Sequence, residues 1–139
     1  MFIELALVVA ITDGDTIKVF DGQEQKKIRL ASIDAPERKQ PFGMKSKQML
    51  TDLLAGKRVS LDCPSVDRYK RLICTIWLDG EDVNRAMVSN GGAWVYRKYY
   101  KGTDYLAVER EATSAAVGLW GISEYKAIPP WDWRKGKRS

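Results

Sequence analysis

The sequence contains no histidine. Without imidazole there is no histidine general base, no His-ligated zinc and no Ser-His-Asp triad. Acid–base chemistry must therefore come from carboxylates, lysine, tyrosine, cysteine, arginine or a metal-bound water.

Cysteine is scarce, with Cys63 and Cys74 as the two in the chain. Their spacing matches neither a CxxC motif nor a zinc-binding set. Both lie among apolar residues of predicted strands, which favours packing as small hydrophobic side chains. A cross-strand disulfide is the alternative because the two residues flank a predicted hairpin, but one pair does not establish the redox compartment.

Long apolar runs are also absent, since no segment approaches the roughly 20 residues that a membrane-spanning helix needs. The apolar opening MFIELALVVAI lacks a basic start, contains Glu4 and continues into the turn DGDT. These features favour a first strand over a signal peptide. We expect no membrane partner, while a cytoplasmic location and secretion after loss of a leader both stay open.

The 139 residues fit one domain, and 45% hydrophobic with 29% charged residues is ordinary for a folded protein. The net charge of +5 and the pI near 9.2 favour a polyanionic partner, nucleic acid before membrane. The alternative is a basic surface that serves solubility alone. We expect a monomer.

Strand signals dominate the first half of the chain. Three Asp-Gly steps separate apolar segments, which is typical of hairpins. Residues 3–11, 15–20 and 25–34 are predicted to form a three-stranded meander, and residues 57–63 and 71–78 two further strands.

Helical spacing of apolar residues predicts three helices, over residues 44–55, 83–90 and 103–117. In the first helix, Met49, Leu50, Leu53 and Leu54 form one apolar stripe. Thr103 is the expected N-cap of the third helix.

The order of these elements predicts the fold. Five short strands with a helix between the third and the fourth are typical of an OB-type barrel. We therefore predict an α+β fold, a five-stranded OB-fold β-barrel with three α-helices, in residues 1–127. A basic tail with proline and tryptophan follows in residues 128–139. A plain α+β sandwich is the alternative.

Acidic residues gather at two predicted turns, Asp13 and Asp15 in the first hairpin and Asp34 and Glu37 after the third strand. In an antiparallel meander these two places share an edge, so Asp15 should approach Asp34. Converging carboxylates repel unless a proton or cation lies between them, and oxygen ligands suit a hard cation, calcium or magnesium. The alternative is that Asp13 and Asp15 only stabilise a turn.

Two arginines, Arg29 and Arg71, lie on segments that flank the same edge if the barrel forms. Planar guanidinium groups suit bidentate contacts with phosphate, and a surface salt bridge is the alternative. Five positions separate Arg29 from Asp34, so a regular strand would point them to opposite faces. We therefore expect the strand to bend or end between them.

Tyrosines and cations alternate in two segments, DRYKR at 67–71 and YRKYYK at 96–101. Aromatic rings among cations suit stacking on the bases of single-stranded nucleic acid, or contact with its phosphates. The alternative is that these tyrosines only pack against the fold.

The motifs DGDT, RLASIDAPE, DRYKR, VNRAMVSNGGAWV and GLW, in this order from Ile11 to Trp120, resemble the staphylococcal nuclease (thermonuclease) family. The resemblance covers nearly the whole chain. It implies an OB-fold barrel with three helices and calcium-dependent hydrolysis of phosphodiester bonds in DNA and RNA, single-stranded or locally open.

The resemblance also implies roles for individual residues. Asp15 and Asp34 match the two calcium-binding carboxylates, with the backbone carbonyl of Ala35 as a further ligand and Asp13 in or just behind that shell. Glu37 matches the proposed general base.

Further positions match substrate contacts. Arg29 and Arg71 take the places of the two phosphate-binding arginines. Tyr69, preceded by Arg68, matches a tyrosine near the terminal phosphate of the nucleotide. Tyr99 is the candidate for the second nucleotide-contacting tyrosine, with Tyr96 and Tyr100 as alternatives because the alignment slips easily there.

Three departures from the family pattern stand out. Ala35 replaces a threonine, Lys70 replaces a glycine, and the loop after Glu37 is shorter. The tail after residue 127 lies beyond the resemblance. We expect its tryptophans to pack against the barrel and its cations to be solvated or to contact nucleic acid.

Two other functions stay open. One is a non-catalytic OB-type module that binds single-stranded nucleic acid or a peptide. The other is a structural or partner-binding domain whose acidic cluster is a turn and salt-bridge network.

Overall fold

The computed structural model describes residues 1–123 and 127–136. Its strands are β1 (Phe2–Asp13), β2 (Thr16–Phe20), β3 (Gln25–Leu30), β4 (Ile33–Asp34), β5 (Arg58–Val66), β6 (Leu72–Leu78), β7 (Glu81–Asp82) and β8 (Trp94–Val95). Its helices are α1 (Gly43–Leu54), α2 (Val83–Ser89), α3 (Asp104–Ser114) and the short α4 (Pro130–Trp133), with a 3₁₀ turn at Gly118–Gly121.

The strands close into a barrel. Antiparallel pairing runs in the order β3-β2-β1-β5-β6, and β3 then pairs with β6 in parallel. The five-stranded OB-type barrel is confirmed, and the open sandwich is not what the chain forms. The three longer helices fall where they were predicted, whereas the short α4 and the 3₁₀ turn were not predicted.

The core fills the barrel through simple alternation. Along β5, Val59, Leu61 and Cys63 are buried while Arg58 and Asp62 are exposed, the two-residue period of a half-buried strand. In α1, Leu50 and Leu54 are fully buried, and Met49 and Leu53 pack against the same core. The predicted apolar stripe of the first helix is confirmed.

The third predicted strand is two strands. β3 ends at Leu30, Ser32 adopts a positive φ of 70°, and the chain resumes as β4 beside β8. The buried amide of Asn84 holds this break in place: Nδ2 donates to the carbonyls of Ala31 (2.9 Å) and Cys74 (3.0 Å). Its Oδ1 accepts from the backbone N–H of Ile76 (3.1 Å).

The start of α3 differs from expectation. Thr103 occupies the N-cap position as predicted, but its side chain makes no capping hydrogen bond. The hydroxyl of Tyr100 instead accepts from the backbone N–H of Tyr105 at 3.0 Å. A tyrosine from the preceding loop thus satisfies one free N–H of the first turn.

The two cysteines are joined. Cys63 on β5 and Cys74 on β6 form a disulfide across the hairpin, with the Cα atoms 4.1 Å apart. The favoured interpretation of unbridged packing was wrong, and the alternative of a cross-strand disulfide is what the structure shows. The bond lies where the β5–β6 pairing has a register shift, between Asp62 and Ser65.

The segment from residue 127 to 136 packs back on the barrel. The Trp131 ring stacks on Tyr96 with centroids 5.5 Å apart and meets Trp94 edge-on at 6.5 Å. The expected packing of the tail is confirmed for Trp131. In the part of the chain described here, no helix is long and apolar enough to cross a membrane.

Candidate active site: a cleft of carboxylates and arginines

One open cleft of about 990 Å³ contains all but one of the residues that the sequence singled out for chemistry or substrate contact; the exception is Tyr100, whose ring stacks on Tyr105. Those inside the cleft are Asp13, Asp15, Arg29, Asp34, Ala35, Glu37, Arg68, Tyr69, Arg71, Tyr96 and Tyr99. They come from the β1–β2 turn, the ends of β3 and β4, the β5–β6 loop and the segment after β8.

The β1–β2 turn presents Asp15 as a buried acceptor. Its Oδ2 accepts from the backbone N–H of Ala35 (2.8 Å) and its Oδ1 from the hydroxyl of Thr16 (3.0 Å). Asp13 accepts the backbone N–H of Asp15 at 3.2 Å, so a turn-stabilising contact of Asp13 is present. Gly14 allows this turn to approach α1, because a Cβ there would overlap Ser46.

Arg29 joins the two buried carboxylates. Its Nη1 donates to the backbone carbonyls of Leu30 (2.6 Å) and Ile33 (2.8 Å). Its Nη2 lies 3.3 Å from Oδ1 of Asp34 and 3.5 Å from Oδ2 of Asp15. The expected break between Arg29 and Asp34 therefore brings them together, and both carboxylates converge on one nitrogen atom.

Crowding shifts the pKa values of these carboxyl groups. Burial and the neighbouring charge of Asp15 raise the pKa of Asp13 to about 7. Burial raises the pKa of Asp34 to about 6, against the lowering effect of its guanidinium neighbours. Burial alone would raise the pKa of Asp15, but Arg29 and its hydrogen-bond donors hold it below the usual value.

The donor set fits a hard divalent cation in its chemistry. Asp15 and Asp34 provide carboxylate oxygens that meet at one point, and the cleft lining offers neither imidazole nor thiol. Within residues 1–123 and 127–136, no group of three or more Asp, Glu, His or Cys side chains is assembled as a metal site. Asp15 and Asp34 would thus supply two carboxylates to such a cation, with backbone, water and substrate oxygens in the other coordination places.

A tight turn holds Glu37 at the rim. Its backbone N–H donates to Oε1 of Gln40 (3.0 Å), and its carbonyl accepts from the backbone N–H of Gln40 (2.9 Å). Gly43 packs so closely on this turn that a Cβ would overlap the Glu37 carbonyl. The buried Gln40 was not predicted; a polar residue between charged neighbours gives no sequence signal of burial.

The β5–β6 loop organises itself around Asp67. Its carboxylate accepts from the backbone N–H groups of Tyr69 (2.9 Å) and Arg71 (3.0 Å) and from Nε of Arg71 (2.8 Å). Lys70 lies at a positive φ of 66°, the conformation that a glycine would adopt most easily. Arg71 reaches the cleft, but its ion pair is with Asp67.

Two exposed tyrosine rings flank the cleft. Tyr69 and Tyr99 are each 61% exposed. The guanidinium of Arg68 lies 5.0 Å from the Tyr69 ring centroid, and Nζ of Lys98 lies 5.4 Å from that of Tyr99. Tyr96 is half-buried beneath Trp131, so Tyr99 has the more accessible ring of the two.

A fourth arginine also enters the cleft, from the C-terminal segment. Nη2 of Arg134 donates to Oδ2 of Asp34 at 2.6 Å, and Nη1 donates to Oε1 of Glu37 at 2.8 Å. Arg134 was expected to be solvated or to contact nucleic acid; the structure pairs it with Asp34 and Glu37, and contact with nucleic acid stays a prediction. Lys137 and Arg138 lie outside the described residues. The basic composition of the tail was the available signal, but it does not specify which cation folds back.

The fold and the cleft define a class: an OB-type barrel with buried carboxylates and arginines at one site. The chain belongs to the staphylococcal nuclease homologue family, whose pattern matches residues 27–122. The resemblance to the staphylococcal nuclease family is therefore confirmed.

Relatives of similar length support the assignment. An Escherichia coli O157:H7 protein named "Uncharacterized endonuclease" is 42% identical over 94% of this chain and 84% of its own length. A Haemophilus influenzae protein of the same name is 39% identical over 94% of this chain and 73% of its own length. A Shigella flexneri "Micrococcal nuclease" is 38% identical over 95% of this chain and 81% of its own length.

Proposed function

We propose that the protein is a calcium-dependent nuclease that hydrolyses phosphodiester bonds of DNA and RNA. Nuclease chemistry is supported by membership of the staphylococcal nuclease homologue family and by relatives named endonuclease and nuclease. The observation that carries the proposal is the convergence of Asp15 and Asp34 on one nitrogen of Arg29 in the cleft.

Asp15 and Asp34 would hold the calcium ion, together with the backbone carbonyl of Ala35. Asp13 would lie among these ligands or just behind them. When bound, the ion supplies Lewis-acid polarisation of the phosphate and lowers the pKa of a bound water. Such a cation would favour the charged carboxylates, because burial, together with the neighbouring charge of Asp15, raises the pKa values of Asp13 and Asp34.

Arg29 and Arg71 bind the phosphate oxygens on which charge builds up during the reaction. Arg29 is held by two backbone carbonyls, so its guanidinium is oriented before substrate arrives. Such pre-oriented donors act without reorganisation, and the loss of one costs about 3–4 kcal/mol in the barrier.

Glu37 orients or deprotonates the attacking water from the rim of the cleft. The water oxygen forms a bond to phosphorus, its proton passes to the Glu37 carboxylate, and the bond from phosphorus to the leaving oxygen breaks, so that the leaving oxygen keeps the electron pair and takes a proton from solvent water. By resemblance to the family, the leaving oxygen is the 5′ one, which yields 3′-phosphate ends. The side chain of Glu37 is 37% exposed, so water reaches it directly.

The strand lies over the exposed rings of Tyr69 and Tyr99. Stacking on these rings needs bases that are free of pairing, so single-stranded or locally open nucleic acid is the proposed substrate. The cations above both rings add contacts to the phosphate backbone.

The test is cleavage of heat-denatured DNA while calcium is titrated against EGTA. We expect cleavage that requires calcium and stops with excess chelator. Glu37→Gln should lose at least about 100-fold in kcat, the range for a general base. Glu111→Gln, an exposed carboxylate on α3 outside the cleft, is the matched control and should keep wild-type activity.

Two results would contradict parts of this proposal. Binding of denatured DNA without cleavage at any calcium concentration would favour a non-catalytic module, for which the exposed Tyr69 and Tyr99 suffice. Equal activity of Glu37→Gln and Glu111→Gln would remove Glu37 from the reaction.

A further inference from the structure

Arg134 binds the same carboxylate oxygens that a cation would use. Oδ2 of Asp34 accepts from its Nη2 at 2.6 Å, and Oδ1 lies 3.2 Å from its Nη1. The other neighbour of Oδ1 is Nη2 of Arg29 at 3.3 Å. Both oxygens of the buried Asp34 are therefore engaged by guanidinium groups.

Packing of the C-terminal segment delivers Arg134 to this position. Trp131 stacks on Tyr96, and the side-chain amide of Gln40 donates to the backbone carbonyl of Ile128. Arg134 directly follows α4, and its backbone N–H donates to the carbonyl of Pro130 at 2.9 Å. The guanidinium therefore rests on a segment with several contacts of its own.

The same residue also binds Glu37, through Nη1 to Oε1 at 2.8 Å. One guanidinium thus spans a proposed cation ligand and the proposed base. The Arg134 side chain is 40% exposed while that of Asp34 is 1% exposed. Arg134 lies on the solvent side of the carboxylate and can leave it for water, whereas Arg29 is fixed by backbone carbonyls.

A divalent cation and the Arg134 guanidinium repel each other when both bind the carboxylate oxygens of Asp34. Calcium ligates carboxylate oxygens at about 2.3–2.6 Å, which places it beside any guanidinium bonded to the same oxygen. Like charges at that distance repel, and the buried setting weakens screening. One of the two must move, and the exposed Arg134 is the one free to do so.

We propose that Arg134 is a further residue of the cation site, which competes with the divalent cation for Asp34 and thereby sets the calcium affinity of the protein. The inference rests on the proposed calcium site. In the calcium-free protein, Arg134 neutralises Asp34 and Glu37. Calcium binding displaces the guanidinium, so Asp34 becomes a ligand and Glu37 loses its ion pair in one step.

Calcium affinity without nucleic acid tests the competition directly. Isothermal titration of the full chain compares wild type with Arg134→Gln, and with Lys135→Gln as a neighbour that loses the same charge. We expect Arg134→Gln to bind calcium roughly tenfold more tightly, within the usual range of coupling between two contacts. Lys135→Gln should stay within about twofold of wild type, because an exposed charge acts through screened solvent.

A second variant separates placement from charge. Trp131→Ala keeps the guanidinium but removes the ring that stacks on Tyr96, so it should also bind calcium more tightly than wild type. Thermal unfolding gives an independent readout: calcium should raise the Tm of Arg134→Gln by more than it raises that of wild type.

The outcomes separate this inference from the proposed function. If wild type, Arg134→Gln and Lys135→Gln bind calcium equally, the competition is overturned and the calcium site stands. If Arg134→Gln binds calcium no better but shows a raised KM, Arg134 contacts substrate and the competition is again overturned. If none of them binds calcium at millimolar concentration, the calcium site and the inference fall together.

Discussion

Arg29 and Arg71 line the same cleft, yet their surroundings differ. Arg29 bonds two backbone carbonyls and faces both Asp34, five residues away, and Asp15 in the β1–β2 turn, at a corner formed by three strand ends. Arg71 pairs with Asp67, four residues away, within a loop that closes on itself. We call these the fixed corner (Asp15, Arg29, Asp34) and the local loop (residues 67–71).

The difference suits the fixed corner and the local loop to different roles in the proposed reaction. The fixed corner is oriented by the barrel itself, so its groups are ready before a ligand arrives. The local loop is held by contacts within five residues, so it can adjust to the strand without disturbing the core. The first suits charge stabilisation and the second suits substrate capture.

The sharpest test of this difference is the same substitution in both places. Arg29→Met should lower the free energy of unfolding by about 3–5 kcal/mol, because it leaves buried carboxylates without their partner. Arg71→Met should cost within about 1 kcal/mol, since its partner is local and reached by solvent. Urea denaturation at neutral pH measures both.

Activity should not follow the same order as stability. Both variants should lose at least roughly 100-fold in kcat, because each removes a donor to the phosphate. Equal destabilisation by the two substitutions would contradict the distinction between a fixed corner and a local loop.

The disulfide comes next in expected effect. Its loss in a Cys63→Ser/Cys74→Ser double variant should lower the free energy of unfolding by about 3 kcal/mol, given a separation of 11 residues. The bond lies at the register shift in the β5–β6 pairing, so hydrogen exchange should increase in the hairpin that bears the local loop. Exchange at the backbone N–H of Ala35, which donates to Asp15 of the fixed corner, serves as the internal control and should change less.

Substitution of Asn84, at the β3–β4 break beside the fixed corner, should have a smaller effect on the free energy of unfolding. Asn84→Ala should cost about 2 kcal/mol, because it leaves buried backbone groups at the β3–β4 break without partners. Asn90→Ala, an exposed asparagine after α2, is the matched control and should be nearly neutral. If the two variants unfold at the same urea concentration, Asn84 does not hold the corner.

Much of the fixed corner could be predicted from sequence. The antiparallel order of β2 and β3 placed Asp15 near Asp34, because neighbouring strand ends share an edge. The odd spacing between Arg29 and Asp34 required a break, and Ser32 supplies it with a positive φ. Local geometry and strand order were sufficient for these inferences.

Contacts set by distant packing could not be predicted. Arg134 reaches Asp34 because Trp131 and Ile128 dock on residues far away in the chain, and no spacing rule describes that docking. The disulfide depended on the register of one hairpin, which two cysteine positions leave open. Likewise, Thr103 is a residue type that suits an N-cap, but the side-chain oxygen that accepts a backbone N–H in the first turn of α3 is the hydroxyl of Tyr100.

The smallest expected effect concerns the backbone of the local loop. Lys70 has a positive φ of 66°, which costs a side-chain-bearing residue about 1 kcal/mol relative to glycine. Lys70→Gly should therefore raise the free energy of unfolding by roughly that amount in urea denaturation. Lys70→Ala is the control, because it removes the charge and keeps the Cβ that causes the strain. If the two variants are equally stable, the loop is not strained at this position; if glycine is the more stable, a single local change improves the loop while the fixed corner is unaffected.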